Sequence, residues 1–499
     1  MGRVRTPVPS TIERMATFIP PTPVLLPPPS LALRTRRLGR TVAVLTARLA
    51  PVAVRKLLRR PEDRVSASRA LRASFEELGA TYVKFGQFLA SAPAIVTQPV
   101  ADEFRGTLDR GPGVPYRQIR AIFLEDTGQR VEDTFASFEK RPFAAASMAV
   151  VHRAVLKDGR TVAVKFIRPN LAATVSADIG IMLPTFKAAA TRGGSEGAFA
   201  LVGYLVGLRE QLAEELDLRN EARSMAHFRE LFSQFGLHLL VVPAVHDQFS
   251  GERVLTMEYL DGVPIDNLEA VEALGIDPKS LVRELLRAWI LTGIHNGIFH
   301  ADIHAGNLLA LPDGRLGMLD WGIVAQLDAD SHLLMRNLVK AALGDEDAWG
   351  PIKDATVRIQ GAGLREGFGL TDDEIGTMVR AMLEPILTQP LKDVSMASLF
   401  AGTDEVLSLA TGKPVEKRSR LQKLRQNRRT AKAYRLSFKT GYFDTSFQRS
   451  NFLASKQLVY LERYGRMYVP EHAILGDHEF LEGVMARASQ PDSDASAAG

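Results

Sequence analysis

The chain has 499 residues, 46% hydrophobic and 24% charged, which is the balance of a globular protein longer than one average domain. It contains no cysteine, which excludes disulfides, zinc-thiolate centres and thiol catalysis and leads us to expect a cytoplasmic protein. The net charge of +5 is small but uneven: residues 1–60 hold 12 Lys or Arg against the single acid Glu13, and residues 417–439 hold 10 basic residues and no acid. Two such patches suit an anionic surface, either membrane lipid or nucleic acid, or are solvated charged faces; the reading of the whole chain expects an anionic membrane lipid surface as partner and no nucleic acid.

In chain order, residues 1–65 form a basic, proline-rich region, extended or disordered over 1–30 and then helical. LRTRRLGRTVAVLTARLAPVAVRKLLRR (33–60) predicts one or two amphipathic helices around Pro51, fit for peripheral membrane contact. Its apolar run is interrupted by Arg48 and Pro51 and is too short to span a bilayer, and no signal peptide is expected. Residues 66–135 predict a helical extension centred on SASRALRASFEELGATYVKFGQFLAS. Within 136–262, VVHRAVL and TVAVKFI flank Asp158-Gly159, a strong hairpin signal. A helical stretch over 202–232 follows, then LLVVPAV and RVLTMEYLDG read as two more strands. Residues 263–400 predict a helical lobe interrupted by HADIHAGNLLALPDGRLGMLDWG (300–322), and 401–499 a helical region with the second basic segment and a disordered tail.

The 300–322 stretch concentrates more chemistry than a hairpin needs. Phosphoryl transfer requires a cation on the phosphates, carboxylate and amide oxygens on magnesium, and a carboxylate near the acceptor. Lys165 ends the strand TVAVK; Asp302 and Asn307 lie five residues apart; Asp320 follows Asn307 by 13 residues, with Trp-Gly behind it. The ordered set VAVK, H-x-D-x-x-x-x-N and D-x-G has protein-kinase spacing, with HAD for HRD and DWG for DFG. Where kinases place a glycine-rich loop, this chain has Ala144, Ala145, Ala146 and Ser147. Alanine resists positive φ and adds a methyl group where backbone would approach phosphate.

With KFGQ (84–87), AAAS (144–147), VAVK (162–165), ELD (215–217), HADIHAGN (300–307) and LDWG (319–322), the chain resembles the ABC1/UbiB family of atypical kinases, also called AarF or ADCK, over residues 70–345. The resemblance implies an α+β, protein-kinase-like two-lobed fold with an added N-terminal helical segment and a helical C-terminal region. It also implies ATP and Mg2+ as cofactors and a quinone or isoprenoid lipid precursor as a partner. Carried over by residue, Lys165 is the phosphate-pairing lysine and Glu221 its helix partner. Asp302 is the catalytic-loop carboxylate, and Asn307 and Asp320 are the magnesium ligands. Lys84, Gly86 and Gln87 form the KxGQ segment over the protein-substrate approach, with Glu215 and Asp217 as its ExD counterpart. Met257, Glu258 and Tyr259 fall at the adenine-facing hinge.

This chain departs from the family's usual AAASIGQVH and HADPHPGN. Ala149 and Val150 remove a Gly and a Gln near the phosphates, and Ile303 and Ala305 remove two prolines that would stiffen the catalytic loop. From the residues alone, Glu214, Glu215 and Asp217 compete with Glu221 for Lys165. Two other readings stand beside the kinase one: a metal-hydrolase site seeded by His300, Asp302 and His304, and an ATP-binding regulator without phosphotransfer.

Overall fold

The computed structural model describes residues 18–58, 64–90, 98–107, 111, 113–193, 196–393, 445–473 and 475–488; the basic segment 417–439 and the C-terminal tail lie outside them. One helix, α1 (Leu31–Leu57), takes up the first basic segment and carries Pro51 within it. Leu31, Leu38 and Val42 line an exposed stripe of α1 among exposed Arg34, Arg36 and Arg40, while Arg37, Thr41 and Val44 face inward. Arg37 donates to both carboxylate oxygens of Asp178 at 2.7 Å each and to the Leu78 carbonyl at 2.9 Å. Half of such a buried pair is costly to keep alone, so α1 has one seat.

Helix α2 (Arg64–Leu78) stops where Gly79 takes φ +101°, and α3 (Ala80–Ala90) starts beyond that turn. A Cβ on Gly86 would stand 2.8 Å from the Phe104 ring, so the glycine of KFGQ is what admits α4 (Gln98–Arg105) against α3. Next come α5 (Tyr116–Thr127), the single turn α6 (Val131–Thr134), and the strands β1 (Phe135–Phe138), β2 (Ala144–Ala145), β3 (Ala149–Leu156) and β4 (Thr161–Ile167). Gly159, at φ +90°, closes the β3–β4 hairpin. Along β4, Val162, Val164 and Phe166 are fully buried in a core with Ile119 and Phe123 of α5. The two-residue period therefore turns Ala163, Lys165 and Ile167 to the opposite face.

The helical stretch at 202–232 divides into α8 (Glu196–Glu215), which follows α7 (Leu171–Gly193), and α9 (Leu218–Gln234). It breaks because Asp217 leaves the helical conformation and caps α9, its side chain accepting the Arg219 N–H. The strand expected over LLVVPAV is shorter than its sequence suggests: only β5 (Leu240–Val241) forms, and it runs parallel to a strand of the second lobe. Pro243 lacks the amide that would continue the ladder, and a single bridge from Val245 to Met257 touches β6 (Val254–Glu258). The first sheet runs β1-β3-β4-β6, with β2 on β3.

The second lobe comprises β7 (Val263–Pro264), α10 (Leu268–Ala273), α11 (Pro278–His295), β8 (Ile298–His300), β9 (Leu308–Ala310), β10 (Leu316–Met318) and β11 (Val324–Gln326). Its strands order as β5-β10-β9-β7, with β8 paired to β11. Helices α12 (Ala329–Ala342), α13 (Trp349–Phe368) and α14 (Asp372–Thr388) follow. Helix α15 (Thr445–Tyr468) returns against α8 and α11, and α16 (His478–Ala488) packs on α11. The architecture is α+β in two lobes, with helices before and after them.

Candidate phosphate and magnesium site

Lys165 projects from β4 into the space between the lobes and donates to both carboxylate oxygens of Glu221 at 2.9 Å; Asp320 Oδ2 lies 3.3 Å from its nitrogen. Glu221 is available because the Asp217 cap starts α9 just before it. Burial pushes the Glu221 carboxyl up to about 7 against the pull of Lys165, and the Asp320 charge adds to the rise. For Lys165, burial alone would lower the ammonium, but Asp320 and Glu221 outweigh it and hold the group above its ordinary value. Asp320 resists the upward effect of burial: Lys165 and Lys84, with the Gly322 amide, keep its carboxyl below the usual range. Lys165 and Asp320 thus hold each other charged, while burial works against the charge on Glu221.

The catalytic-loop stretch is tied to DWG by His300. Its Nε2–H donates to the Asp320 carbonyl at 2.6 Å and its Nδ1 accepts the Asp302 N–H at 3.0 Å. Burial lowers the imidazole to about 4, so the neutral ring with one donor and one acceptor is the form that fits. Asn307 Nδ2 donates to the Asp302 carbonyl at 3.0 Å, and the Asn307 carbonyl accepts the Leu319 N–H at 2.9 Å. Trp321 is fully buried against Phe228 and His300, with ring centroids 4.6 and 4.4 Å away. Gly322 donates to Asp320 Oδ1 at 3.0 Å, and a Cβ there would stand 3.2 Å from that oxygen.

From the N-terminal helices, Lys84 reaches Glu215 Oε2 at 3.1 Å, and Gln211 fixes the other Glu215 oxygen at 2.8 Å. Ala144 and Ala145 pair with β3, while Arg168 donates to the Ala146 carbonyl at 3.0 and 2.6 Å and Gly111 donates to that of Ala145 at 3.3 Å. The cleft gathers Lys84, Ala146, Ser147, Lys165, Glu215, Asp217, Glu221 and Asp320. Ala144, Ala145, Gly86, Gln87, Asp302, Asn307, Met257, Glu258 and Tyr259 lie outside its lining. Met257 pairs with Ala163, Glu258 accepts the Ala244 N–H at 3.2 Å, and the Tyr259 ring sits under Arg153 at 4.5 Å. The alanine-loop brace Arg168 escaped the sequence reading, because nothing in IRP marks a partner 22 residues upstream.

Magnesium takes few protein ligands and completes its shell with phosphates and water. An Asp320 carboxylate held ionised and an Asn307 amide whose nitrogen is already bonded, leaving its oxygen for a ligand, fit that demand. The metal-hydrolase reading fits poorly. Both His300 nitrogens are engaged, and no group of three His, Cys, Asp or Glu able to hold a metal occurs among the described residues.

A strand lysine paired to a helix glutamate, facing Asp-x-x-x-x-Asn and Asp-x-Gly from the other lobe, defines a protein-kinase-like two-lobed protein. The ABC1 atypical kinase-like domain matches residues 107–349. This chain belongs to that family. It is 34% identical over 424 residues to an uncharacterised protein of Mycobacterium tuberculosis, across 84% of this chain and 78% of the other. A chloroplastic protein of Arabidopsis thaliana named an uncharacterised aarF domain-containing protein kinase is 30% identical over 413 residues, 82% of this chain and 73% of that one. A Cellvibrio japonicus protein named "Probable protein kinase UbiB" is 31% identical over 354 residues, 68% of this chain and 61% of its own. No described helix is long and apolar enough to cross a membrane.

Proposed function

We propose that this chain binds Mg-ATP between its lobes and either hydrolyses it or passes phosphate to a small or lipid-like acceptor, in support of isoprenoid-quinone or other membrane-lipid metabolism. The observation that carries the reading is the Lys165–Glu221–Asp320 cluster, a cation held charged beside a carboxylate held ionised. Bound Mg-ATP supplies the transferable phosphoryl group and the metal's charge neutralisation. Lys165 orients phosphate oxygens, Asn307 and Asp320 present oxygens to the metal, and Asp302 accepts the proton of the attacking hydroxyl or water. Met257, Glu258 and Tyr259 are assigned the adenine side. A small acceptor is favoured because Lys84, from outside the two lobes, stands within the cleft with Glu215.

The outer face of α1 is proposed to rest on an anionic membrane surface, with Leu31, Leu38 and Val42 entering the headgroup boundary among arginines. A second reading, a nucleotide-binding regulator, draws on the position of Asp302 outside the cleft lining. Magnesium-dependent ATP turnover by the purified chain, with and without anionic vesicles, separates the two. Turnover that disappears in Asp320→Asn supports the enzyme; full turnover in that variant refutes the assignment; nucleotide binding with no turnover in either protein favours the regulator. Vesicle binding should weaken with salt, and binding indifferent to lipid charge would refute the membrane contact.

A further inference from the structure

The catalytic-loop sequence HADIHAGN lacks the prolines of the family's usual HADPHPGN, yet the backbone around Asp302 is bonded on both edges. Asp302 gives its own N–H to His300 and its own carbonyl to Asn307. The flanking groups go to a residue more than 150 positions away: Gln457 Nε2 donates to the Ala301 carbonyl at 2.5 Å, and its Oε1 accepts the Ile303 N–H at 3.1 Å. Tyr464 then donates its hydroxyl to the Ile303 carbonyl at 2.9 Å. Only one orientation of the amide satisfies both Gln457 bonds, so its partners set the flip.

Gln457 is fully buried, and so is Tyr464, two turns further along α15. Leu453, Leu461 and Tyr468 complete the same buried stripe, which seats α15 behind the catalytic loop. An Ile at 303 is what makes the arrangement possible. Proline has no N–H to give, so a proline there would leave the Gln457 oxygen buried without that donor.

We propose that Gln457 is a positioning residue for Asp302: its amide supplies from the C-terminal helix the loop rigidity that a proline ring would supply locally. Gln457 lies beyond residues 107–349, the span matched by the family domain. The proposal rests on the reading of Asp302 as the catalytic-loop carboxylate, and its test keeps the two apart.

The test compares wild type, Gln457→Leu and Gln457→Leu/Ile303→Pro in the full chain, by amide hydrogen exchange over residues 298–308 and by kcat and KM for Mg-ATP. In Gln457→Leu, exchange at Ile303 rises at least about tenfold and kcat falls about tenfold, while KM and the affinity for a fluorescent ATP analogue stay within about twofold. Adding Ile303→Pro recovers about half of the lost rate without restoring an amide bond, a rescue that a purely structural role for Gln457 does not predict. Unchanged exchange over 298–308 in a folded Gln457→Leu protein overturns the proposal, as does unchanged kcat or a parallel loss of nucleotide affinity. If wild type has no magnesium-dependent turnover and Asp302→Asn changes nothing, the catalytic reading fails, and the exchange experiment alone decides whether Gln457 holds the loop. Should Gln457→Leu not fold, Gln457→Glu keeps the acceptor for Ile303 and sets a carboxylate against the Ala301 carbonyl. Protection at Ile303 in that variant, taken as the ratio of intrinsic to observed exchange at each pH, then rises as acid protonates the new carboxyl and restores the donor; a ratio that does not change with pH overturns the proposal.

Discussion

Two lysines enter the cleft from different elements, and both side chains are 14% exposed. Lys165 comes from the central strand β4 and faces two carboxylates, one from α9 and one from the DWG turn. Lys84 comes from α3, outside the two lobes, and pairs with Glu215 at 3.1 Å. The first pairing draws both lobes onto one nitrogen, so its loss is a loss of chemistry. The second brings an added helix over that centre, so its loss is mainly a loss of docking.

The largest effect expected is on turnover. Lys165→Met should lower kcat for Mg-ATP by about 100-fold or more, as for removal of one preorganised charge at a transferring phosphoryl group; a decline of only a few-fold would mean that the two lysines do not differ in kind. Lys84→Met should act on stability, costing about 3 kcal/mol in urea unfolding because the Glu215 charge stays buried with only the Gln211 amide to meet it. Adding Glu215→Gln should return most of that stability, and a double variant as unstable as the single one would refute the pairing as its source.

His300, which joins the Asp302 loop to Asp320, gives the next effect. Its pKa of about 4 in the fold is below the free value of 6.5, so the unfolded chain binds a proton that the folded chain refuses. Its contribution is intact above pH 6.5 and is lost as pH falls from there towards 4, by about 2 kcal/mol between pH 7 and 5. Urea midpoints for wild type and His300→Gln should show a shallower acid loss in the variant. The smallest effect is Asp217→Ala, which removes the cap that starts α9 and should cost about 1 kcal/mol. Its thermal midpoint tests this, and no change would mean that Arg219 and Glu252 hold the helix start by themselves.

Lys165 was legible as the end of a strand because TVAVK carries a strand period and Asp158-Gly159 fixes the hairpin; which of Glu214, Glu215, Asp217 and Glu221 it would meet was not legible from a local pattern. The spacing of Asp302, Asn307 and Asp320 is itself a local pattern and was legible. LLVVPAV misled because apolar residues establish burial but not a pairing partner, and Pro243 denies one. Gly86 announced itself as a motif residue, but its physical reason, the Phe104 ring, lies in another helix. Gln457 carried no signal at all, since its partners come together only when the chain is folded.

The Arg37–Asp178 pair sets a timetable for synthesis. Arg37 is made 141 residues before the carboxylate that receives it, a delay on the order of 10 s at ribosomal speeds of roughly 5–20 residues per second. Until Asp178 arrives, α1 can lie against α2 but lacks its inward ion pair, and the charge that will be buried has no carboxylate to meet it. The exposed stripe of α1, proposed above to meet a bilayer, is therefore a product of folding: a nascent or unfolded chain carries the same residues without the inward anchor that turns them outward.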